Sequence, residues 1–366
     1  MRWTGLPPRN EIPGLGSILV RHHIDIEKSR EKVALDGKPT CKDFCRAERI
    51  LKDNYGQFGG VMKKLKFFVS LHTRQNDYQI AQAASAEEAA RTLGIDAEIA
   101  FADNDAVLQS TQVLKAVQNR GDSRPDAIVL EPVGSTALPQ VAQAAVSAGI
   151  GWAVLNRSPD YLAVLRKVAR APVFAISSDH TEIGRIQGRQ FAALLPRGGS
   201  ILYIEGPSYS SSAQTRTAGM LETKPSNIEV AMLKGKWTEE SAERSVRSWL
   251  QLAASQGTAI DIVAAQDDSM ALGARKAFQK ITTEAERAHW QKVPFTGCDG
   301  LPETGQKWVR DGWLVATVSV PPLAGTAIEI LVKALQGATQ PPQHAVTKSF
   351  SIPPLKTLAS LQSSRS

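Results

Sequence analysis

Cysteine is scarce in this chain, with three in 366 residues, Cys41, Cys45 and Cys298. Three cannot make a disulfide framework. Cys41 and Cys45 with His22 and His23 are the only metal-like grouping, but a C-x3-C pair so far from the histidines fits no common zinc pattern, so no metal is expected. No apolar run reaches membrane-spanning length. No G-x-G-x-x-G follows a strand-like run and no GxxxxGK[ST] occurs, which argues against dinucleotide and nucleotide-phosphate cradles. A G-x-S-x-G elbow is missing as well, and no other cofactor is called for. The net charge of +7 is diffuse, since residues 1–61 hold 11 Lys/Arg against 8 Asp/Glu. Without a dense basic face or basic-aromatic interleaving, it reads as a solvated surface, and no nucleic-acid partner is expected.

What is present is enough apolar material, 42% of residues, to bury a large core in two domains, with room for a short third piece. Organisation changes at VMKKLKFFVSL. Residues 1–61 mix PP, PG, GLG, DGKP and FGG with short charged runs and predict a poorly structured leader. Met62, followed at once by Lys63, Lys64 and a strand, is the expected true start, with a natural N-terminal extension as the alternative. MKKLKFFVSLH has the basic opening of a secretory signal, but its apolar run ends at His72 and no small-residue cleavage site follows. It is expected to be a first strand.

From there short β-branched runs alternate with helical stretches. Strands are expected at 65–71, 97–101, 127–130 and 151–155, and in VFAIS, ILYIE, IEVAML, DIVAA and VPFTG. Between them lie helices at 78–93, 106–120, 137–147, 181–195, 213–221, 239–254, 269–278 and 303–311. That order predicts an α/β fold with parallel sheet covered on both faces, and too many units for one sheet, hence two doubly wound lobes.

Ligands of such sheets bind beyond the carboxyl ends of the strands. The polar residues there are Asn76, Asp77 and Tyr78, then Glu131, Asn156, Arg157, Ser178 to His180, Gln214, Arg216, Asp267, Asp268 and Asp299. Amides, carboxylates and arginines hold the paired hydroxyls of a neutral polyhydroxy ligand, and an aromatic ring such as Tyr78 covers its C–H face. An Asp before a helix is ordinarily its N-cap, a role that falls more naturally to Asp268 than to Asp267 or Asp299. His72 and His180 are base-like, but no nucleophile or metal set accompanies them, so loop hydrogen bonding is the simpler reading and no enzyme activity is expected.

Here SSDHTEIGRIQG, QDDSMALGARKAF, FTGCDGLPETG and DGWLVATVSVPP resemble, in order, the signatures of periplasmic sugar-binding proteins of the ribose-binding type, which share the ligand-sensing core of LacI-type repressors. The likeness covers residues 65–355. It implies the type I periplasmic-binding-protein fold, two lobes joined by a three-segment hinge. The first lobe would comprise residues 64–176 plus 321–344 and the second 177–320 plus 345–356, with 345–352 as a tail strand and 357–366 as a flexible tail. It implies ligand contacts at Asn76, Tyr78, Asn156, Arg157, Gln214, Asp267 and Asp299, with Asp77, Arg216 and Glu131 as secondary candidates. It also implies a monomeric binding protein that closes on a small sugar or polyol and delivers it to the membrane subunits of an ABC permease, in the periplasm. The lack of a visible signal peptide leaves a cytoplasmic location open, and with it the alternative of a non-exported sugar sensor or regulator core.

The chain departs from the ribose-binding pattern. Asn156 replaces an acid, Asp267 an amide and Gln214 an arginine, and Val320 replaces a polar contact at the third crossing. Ribose itself is therefore not the expected ligand. Trp152 sits within a strand and is expected in the core, whereas Tyr209 lies near the loops.

Overall fold

The run KFFVSL forms strand β1 (Lys66–Leu71), with five of its six side chains buried. A strand covered on both faces gains from a continuous apolar run. The computed structural model describes residues 64–133, 137–252, 259–281 and 283–363. The readings of residues 1–61 and of Met62 as a start lie outside them.

Around β1 the first lobe adds α1 (Asp77–Leu93), β2 (Asp96–Phe101), α2 (Ala106–Gln118), β3 (Ala127–Leu130), α3 (Pro139–Ser147), β4 (Gly151–Leu155), α4 (Tyr161–Val168) and β5 (Val173–Ser178). The chain then crosses into α5 (His180–Leu194), β6 (Gly199–Glu205), α6 (Ser211–Thr223), β7 (Ile228–Lys234), α7 (Glu239–Gln251) and β8 (Ile262–Ala265). This second lobe continues with α8 (Asp268–Gln279), α9 (Glu284–Lys292), β9 (Phe295–Thr296), α10 (Gly305–Arg310) and β10 (Thr317–Ser319). A second crossing returns it to the first lobe for α11 (Ala324–Gly337) and β11 (His344–Thr347), and a third leads to β12 (Phe350–Ile352) and α12 (Leu355–Ser363).

The first sheet has the order β2-β1-β3-β4-β5-β11 and is parallel throughout. The second runs β7-β6-β8-β9, also parallel. Parallel bridges Thr296–Ala316 and Asp299–Ser319 lead on to β10, which pairs antiparallel with β12. Each lobe thus begins on an inner strand whose two neighbours are the next two strands in sequence. At such a reversal the loops leave on opposite sides and open a crevice at the carboxyl ends.

Apolar clusters cover both faces of each sheet. Ala86, Ala90, Ala327 and Leu331 of α1 and α11 lie on one side of the first, and Val113, Val141 and Trp152 on the other. In the second lobe Trp290 of α9 stacks on Phe278 at 4.3 Å and meets Trp249 edge-on at 5.9 Å. Aromatic pairs of this kind add about 1 kcal/mol beyond the burial itself.

Three expectations need correction. Residues 345–347 continue the strand that begins at His344 and pairs with β5 in the first sheet, rather than starting a second-lobe strand, so the third crossing falls between Thr347 and Phe350. Nor is the segment after 356 simply a loose tail, because α12 runs to Ser363 and its Leu358 is wholly buried among Phe191, Met220 and Ile262. Finally, α9 had no counterpart in the sequence reading.

Candidate functional site

The carboxyl ends of both sheets face one cleft with an empty volume of about 610 Å3, counting its open mouth. From the first lobe come His72, Thr73 and Asn76 after β1, Tyr78 and Gln79 of α1, Asn104 after β2, Glu131 after β3, and Asn156 and Arg157 after β4. The second lobe brings His180, Ser210, Ser212, Arg216, Trp237, Asp267 and Asp299.

Each side chain is held by local chemistry. Asn76 is the N-cap of α1, where its Oδ1 accepts from Gln79 N at 3.1 Å, which leaves the Nδ2 donors for the facing lobe. Tyr78 donates its hydroxyl proton to the Pro321 carbonyl at 3.1 Å, tying α1 to the second crossing. Glu131, 5% exposed, accepts from Asn156 Nδ2 at 2.8 Å and from Gln82 Nε2 at 3.1 Å. Arg157 is different. Its guanidinium makes no hydrogen bond or ion pair with any described residue, and burial lowers its pKa.

In the second lobe Arg216 is the hub. It donates to the Gln266 carbonyl and through Nε to His180 Nδ1 at 3.4 Å, and its Nη1 lies 4.0 Å from Asp299 Oδ1. Its guanidinium also sits 5.6 Å from the Trp237 ring centroid. That ring lies so close over Gly206 that a Cβ there would come within 2.1 Å of it, so only glycine fits beneath.

Asp267 caps α8 by accepting from Met270 N, and its other oxygen faces Asn76. Asp268 does not cap the helix. It accepts from Gly300 N and Thr317 Oγ1, both at 2.7 Å, and so fixes the turn that carries Asp299. Asp299 itself has φ of 111°, an unusual value for a side-chain-bearing residue, and is held by backbone bonds to Val318 and Val320. Gly300 beside it has φ of 56° and packs where a Cβ would meet Ser319 Cα at 2.9 Å.

Burial dominates the electrostatics. It pushes the Asp267 carboxyl up to about 7 and that of Asp268 up to about 8, and lifts Asp299 well above the usual carboxylate range against the pull of Arg216. Burial, helped by Arg216 and Arg157, holds His180 down at about 3. His72, also buried, is lowered too, and its Nε2 bonds the Pro132 carbonyl at 2.8 Å.

Beyond the hinge the two walls touch directly. Asn76 Nδ2 donates to the Trp237 carbonyl at 2.7 Å and lies 3.5 Å from Asp267 Oδ2, while Ser269 Oγ donates to Asp77 at 3.3 Å. The lobes are therefore described in a closed arrangement.

Of the candidate contacts, Asn76, Tyr78, Asn156, Arg157, Asp267 and Asp299 line the cleft together with Glu131 and Arg216. Gln214 does not. It is exposed, and its amide folds back to the Ser208 carbonyl at 2.6 Å. Arg216, two residues on, takes the inward face. Asp77 sits at the inter-lobe contact rather than in the cleft lining. Trp152 is fully buried in the core and Tyr209 is exposed. Trp237 and Asn104 were missed, although the strand-end rule applied to β7 and β2 would have found both. Among the described residues no cluster of three or more His, Cys, Asp or Glu could hold a metal ion, and no helix is long and apolar enough to cross a membrane.

Residues 67–339 match the family model described as a periplasmic binding protein domain. The chain belongs to this family. It is 30% identical over 251 residues to the xylitol-binding protein of Mycolicibacterium smegmatis, covering 66% of this chain and 64% of that one. With the D-ribose/D-allose-binding protein of Pseudomonas aeruginosa it shares 27% over 290 residues, 78% of this chain and 83% of that one. The chain spans less than two thirds of the length of three of its curated relatives, 58% and 60% in two cases and 64% in the xylitol-binding protein. Among solved structures, a solute-binding protein from Actinobacillus succinogenes with bound D-allose superposes with a TM-score of 0.68 at 22% identity, covering 81% of this chain and all of that one. A galactofuranose-binding protein superposes with a TM-score of 0.67 at 23% identity, over 82% and 99%. The fold is the type I periplasmic-binding-protein fold, and the relatives bear the names of sugar- and polyol-binding proteins rather than of enzymes.

Proposed function

We propose that this protein captures a small neutral sugar or polyol reversibly between its lobes and serves an ABC sugar importer as its exported solute-binding component. One observation carries the reading. The free Arg157 guanidinium, the buried carboxylates Asp267, Asp299 and Glu131, and the Asn156 amide converge with the Tyr78 and Trp237 rings on one cleft at the carboxyl ends of both sheets. Adjacent hydroxyls accept from the arginine and donate to the carboxylates, and the rings cover C–H faces. The names of the relatives point the same way, toward xylitol, ribose, allose and galactofuranose.

Binding would follow hinge rotation at the three crossings, with the ligand stabilising the closed arrangement by its bonds to both walls. Micromolar affinity, about −8 kcal/mol, suits reversible delivery.

The test is thermal unfolding and calorimetry of the full chain with xylitol, D-ribose, D-allose, D-galactose, L-arabinose and myo-inositol, and with ribose 5-phosphate as the charged control. One neutral ligand is expected to raise the melting temperature saturably, and Asp299→Asn, whose side chain tolerates the positive φ, to abolish the rise. A well-folded protein that responds to no neutral polyol, or best to the phosphate, would refute the proposal.

A further inference from the structure

His180 follows the first crossing and opens α5. Arg216 Nε–H, which can only donate, approaches His180 Nδ1 at 3.4 Å. That nitrogen is therefore the unprotonated one, and the ring hydrogen sits on Nε2. Yet Nε2 is buried and has no hydrogen-bond partner among the described residues. The Asn156 backbone carbonyl lies near the ring and favours its protonated form, and it also accepts from Ser212 Oγ at 3.4 Å.

Asn156 carries the complementary defect. Its Nδ2 is committed to Glu131 Oε1 at 2.8 Å, which fixes the amide orientation, and its Oδ1 is buried without a partner. The Tyr78 hydroxyl has given its single proton to Pro321 and cannot supply one. A left-handed backbone, φ of 57°, holds Asn156 in place. Two residues that both line the cleft thus hold one donor without an acceptor and one acceptor without a donor. Buried groups in this state are costly and await a partner.

We propose that His180 is a ligand contact that reads one hydroxyl of the bound polyol together with Asn156. His180 Nε2–H donates to the hydroxyl oxygen, and the hydroxyl hydrogen goes to Asn156 Oδ1. Only a group that both accepts and donates fills the pair. An ether or carbonyl oxygen satisfies His180 alone, an ammonium satisfies Asn156 alone, and a deoxy carbon satisfies neither. The ligand therefore carries a free hydroxyl at this position, and analogues deoxygenated or O-methylated there are rejected. Because burial and the two arginines keep the imidazole neutral, the donor is the same throughout the ordinary pH range.

The inference rests on the sugar-binding reading of the cleft, and the experiment separates the two. Calorimetry is run on wild type, His180→Phe and His180→Gln with the best-binding member of the neutral panel and its monodeoxy analogues. His180→Phe keeps a ring and loses the donor, and should weaken binding roughly 10- to 100-fold, while His180→Gln, which retains an N–H, should lose less. One deoxy analogue should bind wild type weakly by a similar factor and lose nothing further in His180→Phe. Wild-type protein labelled with 15N-histidine provides an independent readout, in which the His180 Nε2–H signal should shift at saturation with the parent ligand and not with that analogue. Binding by His180→Phe within twofold of wild type, or equal losses for every deoxy analogue in both proteins, would overturn the contact and leave the sugar reading standing. Should His180→Phe not fold, an unmoved Nε2–H signal in wild type overturns it equally. If wild type binds no panel member, the sugar reading falls and this inference with it.

Discussion

Asn76 Nδ2 donates to the backbone carbonyl of Trp237 at 2.7 Å, joining the lobes where no chain segment crosses. The same side chain caps α1, so deleting it confuses helix stability with lobe closure. Serine separates the two, because it caps as well as asparagine but is too short to reach Trp237. Asn76→Ser should leave the ligand-free melting temperature nearly unchanged, weaken binding about tenfold, and shift small-angle scattering of the free protein toward a more open form. Unchanged scattering would show that the contact follows closure rather than favouring it.

Arg157 makes no bond within the described protein, so its removal should cost stability little and binding a great deal. Arg157→Ala is expected to shift the urea midpoint negligibly and to weaken binding of the neutral ligand roughly 10- to 100-fold, the worth of charge-assisted hydrogen bonds. Calorimetry beside urea melts distinguishes this from a structural role.

Gln214 and Arg216 should behave in opposite ways. Gln214→Ala is expected to bind within twofold of wild type. Arg216→Ala leaves Asp299 and Asp267 without a neighbouring cation and strips the His180 ring of its donor, and should destabilise the fold by about 2–4 kcal/mol. Urea unfolding of the two variants checks this.

The Gln214/Arg216 exchange shows what a sequence reading leaves open. Two residues along a helix are about 200° apart, and a resemblance that lacks the helix phase cannot tell the inward position from the outward one. The strands were legible because runs such as AIVL and GWAVL are buried on both faces and read as unbroken apolar blocks. Helix α9 was not, since EAERAHWQK buries only Trp290 and has no apolar stripe. The roles of Asp267 and Asp268 were inverted for a related reason. Either can cap a helix, and what assigns Asp268 to the Asp299 turn is its contact with Gly300, 32 residues away. The pairing of His344–Thr347 with the first sheet and of Phe350–Ile352 with β10 was equally hidden, because two short strands in succession look like one.

Stability without ligand should fall as pH rises above neutrality. Folding raises Asp267 to about 7 and Asp268 to about 8, so their protonated forms stabilise the native state, fully below the unfolded carboxylate range, and this is lost as pH climbs through those values. His180, lowered to about 3, acts with the opposite sign, but its contribution is complete once pH exceeds the unfolded imidazole value of about 6.5. His72, also lowered, behaves likewise. The clear window is pH 6.5 to 8, where about 2 kcal/mol should be lost. Asp268→Asn should flatten the dependence. Urea midpoints at the two pH values measure it, and a wild-type midpoint that rises over this interval would contradict the assignment.

The pairing of β11 with β5 bears on how the molecule is made. Strand β5 ends at Ser178, but its outer partner begins at His344, and α11, which covers one face of the same sheet, lies between Ala324 and Gly337. The first half to leave the ribosome thus lacks both a strand and a covering helix of its own lobe. Those pieces arrive only after the whole second lobe has been synthesised. Residues 64–178 produced alone would expose the face of β4 and β5 that Leu331 and Ile328 normally cover. Until α11 and β11 emerge, that apolar face and the open edge of β5 are the parts of the nascent chain most prone to aggregation.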